Sequence, residues 1–236
     1  MAAPADTFTQ DQITTEKTKV PGKGIQMDAY FARPKSEGPH PAVIIVHENK
    51  GIPDDDDTAG PHYQDLVQRF ARQGFVAVAA EYYQRGGGPS ENSPEQVQGD
   101  VRSLFDWLRS QPYVRANGIG ITGFCWGGGI TYDTAVNIPE LGAAVPFYGR
   151  NPEPIDSVAN VKAPVLAFYG GEDARINAGI PAMEEAMKKN GKKFDYKIFP
   201  GAPHAFFNER KTNFHETSAS EAWEKMLAFF NENLRK

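Results

Sequence analysis

The sequence predicts an α/β fold: a mostly parallel, doubly wound sheet flanked by helices and led in by an N-terminal β-hairpin. Three observations predict it. Five short apolar runs, "AVIIVH" (42–47), "GFVAVAA" (74–80), "GIGITGF" (118–124), "GAAVPFYG" (142–149) and "APVLAFYG" (163–170), lack the polar alternation of half-exposed strands and so read as strands covered on both faces. Segments of helical period lie between them, which implies right-handed crossovers and a parallel sheet. Ahead of them come two strand-like segments separated by a turn. At 236 residues, 40% hydrophobic and 23% charged, the chain suits one domain spanning residues 1–236 around a single core.

Taken in order, "ITTEKTKV" and "IQMDAYFARP" favour strands, and Pro21–Gly24 between them is expected to reverse the chain into a hairpin at the sheet edge. Residues 62–73 ("HYQDLVQRFARQ") read as a helix after the first buried strand. In "SPEQVQGDVRSLFDWLRS", Ser93 is the N-cap, Pro94 occupies the first helical position and Gln96 closes a capping box. Val97, Val101, Leu104, Phe105 and Leu108 then share one face of that helix. A helix over 177–190 is expected to end at Asn190-Gly191, a pair suited to a left-handed C-cap. "FDYKIFP" (194–200) is a further strand, and 214–236 closes the chain as a helix carrying Ala219, Trp223, Met226, Leu227, Phe230 and Leu234 at helical spacing.

Charge and composition remove several classes of function. A net charge of -5 leaves no broad basic surface for nucleic acid or anionic lipid, although a local cationic pocket is compatible with it. No stretch approaches the roughly 20 apolar residues of a spanning helix, and the opening residues lack a basic segment followed by an apolar one. A soluble cytoplasmic chain acting on a small molecule is the expectation. The single cysteine excludes an intramolecular disulfide, and the five histidines show no metal-ligand spacing with it. No metal site is predicted. The run "DDDD" at 54–57 reads as a solvated loop tip whose acids repel one another.

In doubly wound sheets ligands bind beyond the carboxyl ends of the strands, and three such ends carry chemistry. The lone cysteine lies in "GITGFCWGGGI", where Gly123-Phe124-Cys125-Trp126-Gly127 fits the elbow pattern G-x-(nucleophile)-x-G, with cysteine in place of serine. A strand that turns abruptly into a helix brings its backbone so close that side chains two residues either side of the nucleophile do not fit. At the helix N-terminus the sulfur also meets the positive end of the dipole, which favours thiolate. A lone cysteine is by default a small core residue; the paired glycines after a strand tip the reading to a nucleophile.

Downstream, "APVLAFYG" ends at Gly170-Gly171-Glu172-Asp173, and "FDYKIFP" is followed by Gly-Ala-Pro and His204. The order nucleophile, acid, histidine is that of α/β-hydrolases. His204 then takes the thiol proton and Asp173 orients it; Glu172 is the rival acid, and Asp173 is preferred because it lies deeper in the turn. "AVIIVHENKG" is the third end. In that fold its loop and the residue after the nucleophile supply the oxyanion amides, here those of Asn49 and Trp126. Glu48 becomes an ionisable neighbour of the thiol.

Together "HENKGI", "GFCWGG", "YGGEDARI" and "GAPHAF" resemble the dienelactone hydrolase family of α/β-hydrolases over nearly the whole chain. The resemblance implies the α/β-hydrolase fold and a Cys125, Asp173 and His204 triad. Glu48 would then be an extra carboxylate that helps convert thiol to thiolate. It also implies hydrolysis of enol-lactones such as dienelactone, with no metal or organic cofactor. Arginines hold the substrate carboxylate in that family, and Arg85 in "EYYQRGGG" stands where one is expected. Asn208 stands where the family has the second, with Arg210 as a distant substitute, and the loop at 52–62 is longer than in shorter members. A broader carboxylesterase or thioesterase on the same scaffold remains an alternative, as does a non-catalytic protein keeping the fold; monomer and homodimer are both open.

Overall fold

A computed structural model describes residues 6–52 and 59–236. β1 (Ile13–Gly22) and β2 (Ile25–Pro34) form the expected antiparallel hairpin, with Ile13 opposite Pro34 and Gly22 opposite Ile25. The reversal is tighter than the expected Pro21–Gly24 segment: β1 runs through Pro21 and Gly22, and the chain turns at Lys23–Gly24. Gly24 has φ +74, a left-handed conformation that glycine adopts without strain.

The chain continues through β3 (His40–Val46), α1 (Ala59–Arg72), β4 (Val76–Ala80), α2 (Pro94–Ser110), β5 (Val114–Phe124) and α3 (Trp126–Asn137). β6 (Ala143–Phe147), β7 (Val165–Gly170), α4 (Ala174–Asn177), α5 (Ile180–Lys189), β8 (Phe194–Phe199) and α6 (Glu216–Leu234) complete it. The eight strands of the described residues lie in one sheet, ordered β1-β2-β4-β3-β5-β6-β7-β8. The pairings from β4 to β8 are parallel and those of β1 with β2 and β2 with β4 antiparallel, the α/β-hydrolase arrangement. The sequence run at 54–57 and part of the 52–62 loop lie outside the described residues.

Strand periodicity builds two cores. Ala42, Ile44 and Val46 face the side covered by α2, α3 and α5, while Val43 and Ile45 face α1 and α6. Burial on both faces explains why these strands show no polar alternation. The Ser93 capping box forms as expected: the Ser93 hydroxyl accepts from the Gln96 amide, and Gln96 closes the box on the Ser93 amide.

The helix expected over 177–190 is instead two, α4 and α5, with Gly179 as the N-cap of the second. Pro181 sits in the first turn of α5. It has no N–H to give to Asn177, so a continuous helix would lose a bond there, whereas a fresh N-terminus tolerates it. The Gly179 carbonyl accepts from the Met183 amide at 3.2 Å, opening α5, and from Asn151 Nδ2 at 2.8 Å.

The chain leaves β3 toward β4 on one side and returns to β5 on the other. The switch point therefore lies between β3 and β5, whose carboxyl ends carry His47-Glu48-Asn49 and Cys125. A crevice at that point is where such sheets bind ligands.

Candidate active site

Cys125 sits between β5 and α3 with φ 56 and ψ −111. A non-glycine residue held there stores roughly 1–3 kcal/mol of backbone strain, and its surroundings enforce it. The Cys125 amide donates to the Phe147 carbonyl at 3.0 Å. A Cβ on Gly123 would lie 2.2 Å from the Gly127 carbonyl oxygen, and one on Gly127 would lie 2.4 Å from that of His47. The elbow thus requires glycine at both flanking positions on contact grounds. Phe124 reinforces it from below, its ring stacked on Phe207 at 5.1 Å, which ties the elbow to the loop that carries His204.

Asp173, His204 and Cys125 meet in one line. His204 Nε2 is 3.1 Å from Cys125 Sγ, and His204 Nδ1 bonds Asp173 Oδ2. Glu172, the rival acid, is exposed, whereas Asp173 is buried. Burial alone would lower the His204 pKa. The hydrogen bonds and charges of Cys125 and Asp173 outweigh it and raise it from 6.5 to about 9. Chemically the trio can move a proton from sulfur to imidazole and hold it there. Asn213 Nδ2 donates to the His204 carbonyl at 2.9 Å and steadies the loop.

Around the thiol lies a cavity of about 590 Å³. Among the described residues its walls carry four cationic side chains, Lys50, Arg175, Arg210 and Lys211, against one carboxylate, Glu48. That local excess contrasts with the net charge of -5. Glu48 is buried; its Oε2 lies 2.5 Å from Lys211 Nζ and accepts from Asn208 Nδ2 at 3.4 Å. Glu48 Oε1 has no partner among the described residues, an unusual state for a buried carboxylate oxygen. Asn49 lines the cavity. Trp126 opens α3, and amides in a helix's first turn have no intrahelical acceptor. No group of three or more His, Cys, Asp or Glu side chains that could hold a metal ion occurs among the described residues.

The sequence model of the "Dienelactone hydrolase family" matches residues 27–234. This chain belongs to the dienelactone hydrolase family. Relatives include a "Putative carboxymethylenebutenolidase" of Salmonella typhimurium, 34% identical over 97% of this chain and 91% of that protein. One of Saccharolobus solfataricus bearing the same name is 31% identical over 87% of this chain and 94% of its own length. Among solved structures, a "Putative Dienelactone Hydrolase" from Klebsiella pneumoniae superposes with a TM-score of 0.84 at 34% identity. The superposition covers 93% of this chain and 99% of that one. A "Dienelactone Hydrolase-like Promiscuous Phospotriesterase P91" from metagenomic libraries shares the fold, with a TM-score of 0.82 at 20% identity over 94% of this chain and 99% of that one.

As a dienelactone hydrolase family member the chain is a hydrolase of ester or lactone bonds. No helix among its described residues is long and apolar enough to cross a membrane. The side chains expected to hold a substrate carboxylate are placed otherwise than expected. Arg85 does not line the cavity: its guanidinium is spent on the buried Asp100, at 2.5 and 2.9 Å, and on the Lys23 carbonyl at 2.9 Å. Asp100 also accepts from the Lys23 amide at 2.7 Å, so Arg85 fastens the hairpin turn to α2. The expectation that it anchors substrate is corrected accordingly. Asn208 does lie in the cavity, turned onto Glu48, and Arg210 lines the wall.

Phe206 and Phe207 fill core and are absent from the cavity lining, while Trp126 is half-buried against His47 and Tyr83. Sequence reasoning missed Lys211, the cation that pairs with Glu48, and Tyr63, whose hydroxyl accepts from the Glu48 amide at 2.8 Å. A cation-rich "NERK" just past His204 was the available signal for Lys211. Tyr63 had none, since it reads as one more apolar position of α1. Burial, then the charge of Glu48, holds the Tyr63 hydroxyl well above its usual pKa, so it serves as a neutral hydrogen-bonding group.

Proposed function

We propose that this dienelactone hydrolase family member is a single-domain cysteine hydrolase that opens an ester or lactone bearing an anionic group, an enol-lactone carboxylate above all. The contact that carries this reading is His204 Nε2 against Cys125 Sγ at 3.1 Å, with Asp173 on the far ring nitrogen. His204 accepts the thiol proton, and the thiolate adds to the carbonyl carbon. The amides of Asn49 and Trp126 receive the oxyanion, a contribution of about 2.7–4 kcal/mol per donor in comparable sites. Collapse expels the alkoxide or enolate, which takes its proton from His204. Water, deprotonated by His204, then attacks the thioester, and the acid departs as the thiol is restored. Glu48 shares the cavity with the thiol, and we assign it the role of assisting thiol ionisation.

The raised His204 pKa sets the pH dependence. With its pKa near 9, the imidazolium persists through neutral pH and is lost as pH rises through 9, taking the leaving-group proton with it. kcat/KM for an ester is therefore expected to fall above about pH 9, while iodoacetamide alkylation of Cys125, which needs only thiolate, does not fall over the same range.

Lys50, Arg175 and Arg210 support an anionic substrate, Lys211 being held by Glu48. kcat/KM for a lactone carboxylate is expected to exceed that for its methyl ester. Lys50→Gln or Arg175→Gln should cut that preference about tenfold or more, as loss of a charge-assisted bond does. Equal rates for both substrates, unchanged in the two variants, would instead identify a broad carboxylesterase or thioesterase.

A further inference from the structure

We infer that His47, which no step of the reaction above uses, is a positioning residue that sets both amides of the oxyanion hole. The inference rests on the proposed cysteine hydrolase reading. His47 is the last residue before Glu48 at the carboxyl end of β3 and is fully buried. Its Nδ1 lies 2.7 Å from the Glu48 carbonyl oxygen, so Nδ1 carries the proton. Its Nε2 lies 3.1 Å from the Tyr82 amide nitrogen and 3.2 Å from Glu81 Oε1. The Glu48 carbonyl can only accept, so it fixes a proton on Nδ1 whatever the state of Nε2.

The Glu48 carbonyl and the Asn49 N–H belong to one peptide unit. That unit is planar and trans, so its C=O and N–H point in opposite directions. Drawing the oxygen onto the imidazole turns the Asn49 N–H away from His47. The adjoining peptide is held as well, because the Glu48 amide donates to Tyr63 Oη at 2.8 Å. The other oxyanion amide belongs to Trp126, whose indole stacks on the His47 ring at 5.2 Å and 15°. One side chain thus touches both donor segments, which come from distant parts of the chain.

Glu81 backs the imidazole. Its Oε1 lies 3.2 Å from His47 Nε2 and accepts from the Tyr83 amide at 2.7 Å, while Oε2 accepts from the Ile52 amide. It therefore ties the end of the 48–52 loop to the segment after β4 that supplies the Tyr82 amide. The preorganised donors of an oxyanion hole act only if they do not move when charge develops, and this brace removes their freedom to do so.

His47→Phe keeps an aromatic ring against Trp126 and removes both hydrogen bonds; His47→Asn restores a donor at the Nδ1 position. With a neutral aryl ester, His47→Phe is expected to lower kcat about 100-fold, as loss of an oxyanion donor does, with KM within about threefold. Iodoacetamide alkylation of Cys125, which forms no oxyanion, should stay within about twofold, and His47→Asn should regain at least about tenfold in kcat. A kcat for His47→Phe within threefold of wild type, a parallel fall in kcat and alkylation, or no recovery in His47→Asn would each overturn the inference. Should His47→Phe fail to fold by circular dichroism, Glu81→Gln gives the same reading: kcat down about tenfold with alkylation unchanged supports it, and unchanged kcat refutes it. Wild-type turnover that survives Cys125→Ala defeats the cysteine hydrolase reading and this inference together. Turnover that needs Cys125 and ignores His47 defeats this inference alone.

Discussion

Cys125→Ala is expected to lower kcat for a p-nitrophenyl ester by about 10⁴-fold or more, with thermal stability close to that of the parent. The magnitude follows from what nucleophile loss costs in triad hydrolases, where only oxyanion and binding effects survive. Stability should hold because the sulfur faces the cavity and is partly exposed, so its removal opens no sealed hole in the core. The alanine also keeps the backbone at φ 56 with no larger side chain to accommodate. Stopped-flow assay of purified protein, free of contaminating esterase, reads the effect directly, and full turnover in Cys125→Ala would assign the nucleophile elsewhere.

His204→Ala is expected to produce a loss of similar size, about 10⁴-fold in kcat, with a second signature. At pH 7 its Cys125 should be alkylated by iodoacetamide more slowly than in wild type, because the sulfur has lost the imidazole 3.1 Å away and a free thiol with pKa about 8.5 is mostly protonated. Raising the pH should restore the alkylation rate without restoring turnover. Alkylation equal to wild type at pH 7 would mean that His204 does not ionise the thiol. The two variants together separate making the nucleophile from using it.

The elbow was legible in the sequence because its constraint is local. Gly123 and Gly127 stand within a few residues of Cys125, and the clashes that exclude any other residue follow from the turn itself. The strand ends carrying Glu48, Asp173 and His204 were legible because unbroken apolar runs mark where buried strands stop. Local chemistry also placed the Ser93 cap. Pro181 is equally local, and its missing N–H is the sequence signal for the break that divides 177–190 into two helices.

What escaped was set by tertiary contact. Arg85 carries a charge suited to a carboxylate, but only the folded chain brings it to Asp100, whose buried carboxylate claims it first. Lys211 reaches Glu48 across 163 positions of sequence, a separation no spacing rule spans. His47 read as the polar end of an apolar strand. Its significance comes from the Glu48 carbonyl, the Tyr82 amide and the Trp126 ring, which the sheet's switch point gathers around it.

Hydrolysis by a cysteine nucleophile passes through a covalent acyl group on Cys125. Rapid acid quench of the protein during steady-state turnover of an activated aryl ester, followed by proteolysis and mass spectrometry, tests it most directly. The acyl mass is expected on the peptide containing Cys125 and on no other, present in wild type and absent in Cys125→Ala. An acyl group on a different residue, or a pre-steady-state burst with an unmodified Cys125 peptide, would contradict it.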